Sequence, residues 1–188
     1  MWARSSLAAL GSVVVFAIAG PPATKPAPAP RGPLAVYDRA CLRCHGPEGV
    51  NYGPTFGKTL TDKALRQAVV DMKDGKGDIA LTEDEIAAQT AYHRAIIRRE
   101  PFVAVTLATG SRLAGECSED AKIAVTVDGK SVPVRRTGYV WDAPTPAGER
   151  REVIATMGRH VVRLDPAKAR WTHAEPLPDP KPVPEKRP

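Results

Sequence analysis

The residues of this chain best suited to carry chemistry are five consecutive ones, Cys41-Leu42-Arg43-Cys44-His45. Two thiols at this spacing can each add to a vinyl group of one haem, and the histidine that follows then lies under the iron as its proximal ligand. The pentapeptide therefore predicts covalent attachment of one haem c through Cys41 and Cys44, with His45 as an iron ligand.

Two other kinds of site use cysteines at this spacing, and each needs companion residues. A structural zinc site needs a second pair of Cys or His residues, but the only other cysteine is Cys117. A thioredoxin-like redox motif lies between a strand and a helix, and it does not need a histidine at the fifth position. Once haem takes the first two cysteines, we expect Cys117 to be buried as a small apolar side chain, the alternative being a disulfide to another chain.

The N-terminus has the features of a secretory signal peptide. A short positive start at residues 1–4 precedes an uncharged apolar run over residues 7–19, and Ala17-Ile18-Ala19 offers a cleavage site of small residues. The run is shorter than the roughly 20 residues of a membrane-spanning helix, and an uncleaved membrane anchor is the alternative. We expect a periplasmic or extracytoplasmic protein, in agreement with the haem prediction, because attachment of this type is completed outside the cytoplasm.

The charge balance gives no support to nucleic acid as a partner. Lys and Arg number 27 against 21 Asp and Glu, a formal net charge of +6, but no basic block has interleaved aromatic residues. A basic surface around a haem edge would favour an acidic redox partner protein or an anionic membrane. A compositional bias toward Arg, Ala and Pro explains the charge equally well.

Composition and periodicity divide the chain into five segments. Residues 1–19 are the predicted signal peptide, residues 20–33 a Pro/Ala linker, and residues 175–188 a Pro-rich tail that we expect to be disordered. Residues 34–100 have the apolar periodicity of helices. In residues 101–174 apolar and polar side chains alternate, as they do in strands.

Local signals place several of these elements. Thr61 is predicted to cap a helix that runs through Met72, and Thr82-Glu83-Asp84-Glu85 is a capping box that begins another. Asp128-Gly129, between two alternating runs, predicts a hairpin turn. The many short strands of the second segment indicate a small barrel or sandwich.

Residues 34–100 resemble a class I cytochrome c domain. The residues that carry the resemblance are Tyr37, Cys41-Leu42-Arg43-Cys44-His45-Gly46, Gly53-Pro54, Asp74-Gly75-Lys76-Gly77 and the stretch from Leu81 to Tyr92. The resemblance implies that the first and last helices cross, that Tyr92 lies at the crossing, and that Pro54 packs near the proximal His45. The fold class we expect is therefore α+β, with an all-α class I cytochrome c domain followed by a small all-β barrel or sandwich, the latter weakly similar to SH3-like barrels.

The sixth iron ligand is the main departure from that family. The family normally supplies a methionine from the loop after the Gly-Lys-Gly turn, where this chain has Ile79. Thioether and imidazole are the usual second axial ligands. Three alternatives stay open: Met72 as the ligand, an open site, and His93 as the ligand. Met72 and His93 also fit as ordinary core residues, and the β segment's Met157 and His160 would reach the iron only if the two segments packed face to face.

The leading functional prediction is an exported monohaem electron carrier that serves a redox partner and is not an enzyme. Ile79 motivates the alternative of an open-site haem protein, either a peroxide-reactive enzyme or a small-gas sensor. A third reading, an interaction protein without haem, is opposed by the intact pentapeptide. The β segment has no paired carboxylates at useful spacing, Ser-His-Asp order or phosphate loop, so we expect it to be a packing domain, the alternative being a docking or haem-covering module.

Overall fold

Helices fill the first part of the chain and strands the second. The computed structural model describes residues 32–146 and 150–172, so the predicted signal peptide, residues 20–31 of the linker and the tail lie outside the described residues. The helices are α1 (Pro33–Ala40), α2 (Leu42–His45), α3 (Asp62–Asp74) and α4 (Glu83–Arg98), with a 3-10 turn at Pro47–Gly49. The strands are β1 (Val103–Ala108), β2 (Arg112–Cys117), β3 (Lys122–Val127), β4 (Lys130–Val132), β5 (Arg135–Thr137), β6 (Val140–Pro144), β7 (Arg151–Met157) and β8 (His160–Leu164). No helix in the described ranges is long and apolar enough to cross a membrane.

Side-chain caps begin the two long helices. The Thr61 hydroxyl accepts a hydrogen bond from the Ala64 amide at 3.2 Å, at the start of α3. At the start of α4, Thr82 Oγ1 accepts from the Glu85 amide at 3.2 Å, and the Glu85 carboxylate accepts from the Thr82 amide at 2.9 Å. Both predicted caps are confirmed, because each depends only on residues three positions apart.

The first and last helices pack against each other. The rings of Tyr37 on α1 and Tyr92 on α4 meet edge to face, with centroids 5.2 Å apart. This is the helix contact that the resemblance implied, and it places the end of α1, and therefore Cys41, beside α4.

The strands form two four-stranded antiparallel sheets in the orders β1-β2-β6-β5 and β4-β3-β7-β8. Asp128 and Gly129 join β3 to β4 with φ angles of 50° and 77°, as a two-residue hairpin with both residues left-handed requires. Pro133 follows β4 and has no N–H to donate, so the ladder ends there and the chain crosses to the other sheet as β5. One apolar core joins the sheets, with Leu113 and Trp141 from the first and Val125 and Val153 from the second, all at 0 % exposure.

The predicted fold class is wrong in its first part, because residues 34–100 do not form a full all-α cytochrome domain. Phe102 and Ala104 of the β portion, by which we mean residues 101–146 and 150–172, are buried in the same apolar cluster as Leu34, Tyr37 and Tyr92. Helices α1 and α2 span only 8 and 4 residues, and their apolar side chains pack together with those of the β portion. The β portion completes the helical core.

Candidate functional site

Cys41 and Cys44 lie at the two ends of one helical turn. The Cys41 amide donates to Tyr37 O at 2.8 Å and ends α1, and the amides of Cys44 and His45 both donate back to Cys41 O, at 3.1 and 3.0 Å. All three cysteines of the chain are free thiols, with Cys41 half-buried and Cys44 exposed. Residues three apart on a helical turn lie side by side, so the two sulfurs can both bond one planar group.

Burial keeps the Cys41 thiol protonated. Desolvation, followed by the neighbouring Cys44, raises the pKa of Cys41 to about 11. Cys117 is buried as expected, at 0 % exposure in the core between the sheets, and desolvation likewise raises its pKa to about 11. Cys117 lies in a different core cluster from the attachment residues, so it takes no part in this site.

His45 presents a buried nitrogen that needs a ligand. Its Nε2 atom is buried and has no hydrogen-bond partner within residues 32–146 and 150–172. Burial also lowers the pKa of His45, which favours the neutral imidazole, the form that binds metals. A buried polar atom without a partner is costly, and an iron ion at this nitrogen would remove that cost.

Two aromatic rings of the following loop face His45. The Tyr52 ring lies with its centroid 4.7 Å from that of His45, and the Phe56 ring lies at 6.3 Å. The two rings stack on each other at 4.3 Å. The resemblance implied that Pro54 packs near His45, but Pro54 is exposed. Tyr52 and Phe56 were not among the predicted site residues, and the only signal for them in the sequence is an aromatic pair four residues apart in a polar loop.

His93 on α4 contacts Tyr52 as well. The Tyr52 hydroxyl and His93 Nδ1 form a hydrogen bond of 2.5 Å, and the rings of His45 and His93 have centroids 6.4 Å apart. Burial, followed by the charge of His45, lowers the pKa of His93 to about 4. The imidazole is therefore neutral at physiological pH, as a metal ligand or a core residue requires.

A small cleft beside Cys41 brings the remaining candidate ligands together. Met72 at the end of α3, Ile79 after it and His93 on α4 all line this cleft, together with apolar side chains of α1 and α3. Its volume is about 20 Å³, so these side chains must move apart to admit a porphyrin edge. Met157 lines a separate cleft with Glu48 and Arg99, and His160 begins β8, so neither is placed beside Cys41.

The residues at this site fit a covalently bound haem. They combine two free thiols on one turn, a neutral imidazole whose Nε2 finds no partner in the described part of the chain, and an apolar and aromatic surround. Among the same residues, no group of three or more His, Cys, Asp or Glu side chains could hold a bare metal ion. No protein-family model, no curated protein and no solved structure matches this chain. A functional assignment therefore rests on the residues of the site themselves.

Proposed function

We propose that this protein holds one haem c covalently through Cys41 and Cys44, with His45 as an iron ligand, and that it passes single electrons to or from a redox partner protein. The observation that supports this most strongly is His45, whose Nε2 is buried without a partner among the described residues and follows directly on two free thiols. The haem supplies an iron that takes up and releases one electron. The protein supplies the attachment, the axial ligand and the dielectric surroundings.

Two hydrogen bonds hold the backbone at His45 and Gly46. The Tyr37 hydroxyl donates to Gly46 O at 2.9 Å, and the Asn51 amide donates to His45 O at 2.9 Å. The chain reverses between these two bonds, and the reversal brings Tyr52 against the imidazole. Hydrogen bonds that orient the chain around a metal ligand are a recognised means of tuning a metal site.

The second axial position is proposed for Met72, with His93 as the alternative. Both side chains line the cleft beside Cys41. A thioether is a common second ligand in haem proteins of this attachment type, and Met is flexible enough to reorient within a cleft. If His93 is the ligand instead, its Nδ1–H would donate to the Tyr52 hydroxyl oxygen, the tautomer that leaves the Nε2 lone pair free to bind iron.

A second candidate function follows from Ile79. Its side chain lines the same cleft and cannot bind iron. An iron left open on that side would bind small ligands and react with peroxide, which would make the protein an enzyme or a gas sensor.

Export through residues 1–19 is part of the proposal, because the thioether bonds of haem c are formed outside the cytoplasm. N-terminal sequencing of the mature protein tests this part. A mature chain that begins near Gly20 is expected, and one that retains Met1 in the cytoplasm would contradict export.

The decisive experiment is to express the chain in a host that performs haem attachment and to ask whether haem stays on the denatured polypeptide. The wild-type chain and the Cys117→Ser control should retain it, and the double variant Cys41→Ser/Cys44→Ser should lose it. A wild-type chain that carries no covalent haem under these conditions refutes the proposal. If haem is retained, a ferric spectrum that stays low-spin and is unchanged by CO in the ferrous form supports the electron carrier, whereas CO binding supports the open site.

A further inference from the structure

The β portion contacts the chain immediately after His45. Residues 118–121 form the turn between β2 and β3, and the Glu119 amide of this turn donates to Glu48 Oε1 at 2.6 Å. Glu48 lies in the 3-10 turn, three residues after His45. The contact therefore joins residues that are 71 positions apart.

Glu48 holds an unfavourable backbone conformation at that point. Its φ angle is 47°, in the left-handed region that residues other than glycine rarely occupy. Such a conformation is unfavourable and persists only where surrounding contacts fix it. The bond to the Glu119 amide is one such contact.

The turn that Glu48 occupies leads directly to Tyr52. The Gly49 amide donates to Gly46 O at 3.2 Å, and the Tyr52 amide donates to Gly49 O at 2.8 Å. A side chain cannot be accommodated at Gly49, because an added Cβ would lie 2.6 Å from Ile96 Cγ2 and 2.7 Å from the Tyr52 ring. A shift of Glu48 is therefore transmitted to the ring that faces His45.

Arg136 on β5 stabilises the turn at residues 118–121. Its guanidinium donates to the carbonyl oxygens of Ala121, Glu119 and Ser118, the last at 3.0 Å, and its Nε donates to Gly138 O at 2.7 Å. A planar guanidinium with five N–H groups can satisfy several carbonyls of one turn at once, and Lys cannot. Arg136 therefore fixes the position of the Glu119 amide.

Glu116, two positions before this turn, contacts the other end of the attachment segment, by which we mean residues 33–52. Glu116 on β2 accepts from the amides of Leu34 and Ala35 at 2.7 and 3.3 Å, at the start of α1. Gly32 permits this approach, because an added Cβ would lie 2.1 Å from the Glu116 carboxyl carbon. Residues 116–121 thus contact the attachment segment on both sides of Cys41 and His45.

We propose that residues 116–121 of the β portion position the attachment segment, with Glu48 and Arg136 as positioning residues for His45. The link to haem rests on the proposed function, whereas the positioning of the His45 and Tyr52 side chains can be measured on the chain whether or not it carries haem. The β portion is then a part of the haem site and not an appended packing module.

The test compares Glu48→Ala and Arg136→Ala with three controls. Glu48→Gln keeps an acceptor oxygen, Arg135→Ala removes an exposed arginine from the same strand, and Glu83→Ala removes an exposed carboxylate from α4. Amide hydrogen exchange at residue 119 and the NMR shifts of the His45 imidazole are followed in each full-length protein as purified. In protein that carries haem, the reduction potential is measured as well.

Both test variants should exchange the residue-119 amide about 10- to 100-fold faster, the range that follows from losing a hydrogen bond to a charged group. They should also move the His45 signals, and the reduction potential where haem is present. Arg135→Ala and Glu83→Ala should resemble the wild type, and Glu48→Gln, which keeps the acceptor oxygen without the charge, should lie nearer the wild type than Glu48→Ala does. If both variants leave the His45 signals at the wild-type position, the proposal is overturned. If Glu48→Ala does not fold, the His45 signals of Arg136→Ala are compared with those of Arg135→Ala. A difference between the two supports the proposal, and no difference overturns it. A wild-type chain without haem refutes the proposed function, but the exchange and His45 measurements still decide the positioning.

Discussion

The hydroxyl of Tyr52 and the Nδ1 atom of His93 lie 2.5 Å apart and form the hydrogen bond that joins the loop after His45 to the last helix. Burial raises the pKa of Tyr52, so its hydroxyl stays protonated, and burial lowers the pKa of His93 to about 4. Two neutral groups therefore share this bond at physiological pH. The Tyr52 ring also faces His45, so one side chain contacts both histidines of the site.

Replacing Tyr52 by Phe should destabilise the fold by about 1–3 kcal/mol, because the buried Nδ1 of His93 loses its partner while the ring contacts remain. The measurement is the free energy of unfolding in urea. Tyr139→Phe is the control, since Tyr139 is a half-buried tyrosine that packs against the apolar cluster of Tyr37 and Tyr92. A loss no larger than that of the control would show that the hydrogen bond contributes little.

Replacing Met72 by Ala should change the ferric visible spectrum of the haem-loaded protein, since the proposed thioether ligand is lost. Met157→Ala should leave the spectrum unchanged, because Met157 lines a different cleft. If Met72→Ala leaves the ferric spectrum unchanged and His93→Ala changes it, His93 is the ligand. If neither variant changes it and the ferrous protein binds CO, the site is open.

The raised pKa of Glu116 predicts that the protein loses stability as pH rises. Burial raises the pKa of this carboxyl above its ordinary value of 4.5, against the opposing effect of the backbone amides of Leu34, Ala35 and Gly32. The folded state therefore binds the proton more tightly than the unfolded state, and its stability falls as pH rises from about 4.5 through the raised folded pKa.

The variant Glu116→Gln tests this dependence. Relative to wild type, its free energy of unfolding should increase between about pH 4 and pH 7, because only the wild type buries a charge at the higher pH. Glu83→Gln, at an exposed position on α4, provides the baseline. A constant difference between wild type and Glu116→Gln over this range would contradict the raised pKa.

Phe102 should couple the unfolding of the helices to that of the strands. Its side chain is fully buried at 0 % exposure and packs against Tyr92 with ring centroids 5.2 Å apart. Phe102→Ala should cost about 3–5 kcal/mol and lower a single transition seen by both far-UV circular dichroism and Trp fluorescence. Val161→Ala, at a residue 53 % exposed, should have little effect. Two separate transitions in the wild type would instead support an independent helical domain.

Local signals in the sequence predicted many elements correctly. The caps at Thr61 and Thr82 and the Asp128-Gly129 hairpin are present, because each depends on neighbouring residues alone. The prediction of an all-α domain was wrong because it depended on contacts between residues that are distant in sequence. Helical periodicity shows that a helix has an apolar face, but it does not show that Phe102 and Ala104 cover that face.

The sequence by itself determined which residues can bond a haem, because Cys41, Cys44 and His45 are set by covalent spacing along one turn. Only the tertiary structure decided what surrounds them. Tyr52 and Phe56 face His45, Met72 and His93 share one cleft, and the Glu119 amide bonds Glu48. Each of these contacts joins residues that are not neighbours on one turn of the chain, and their meeting depends on how helices and sheets pack, which no local pattern encodes.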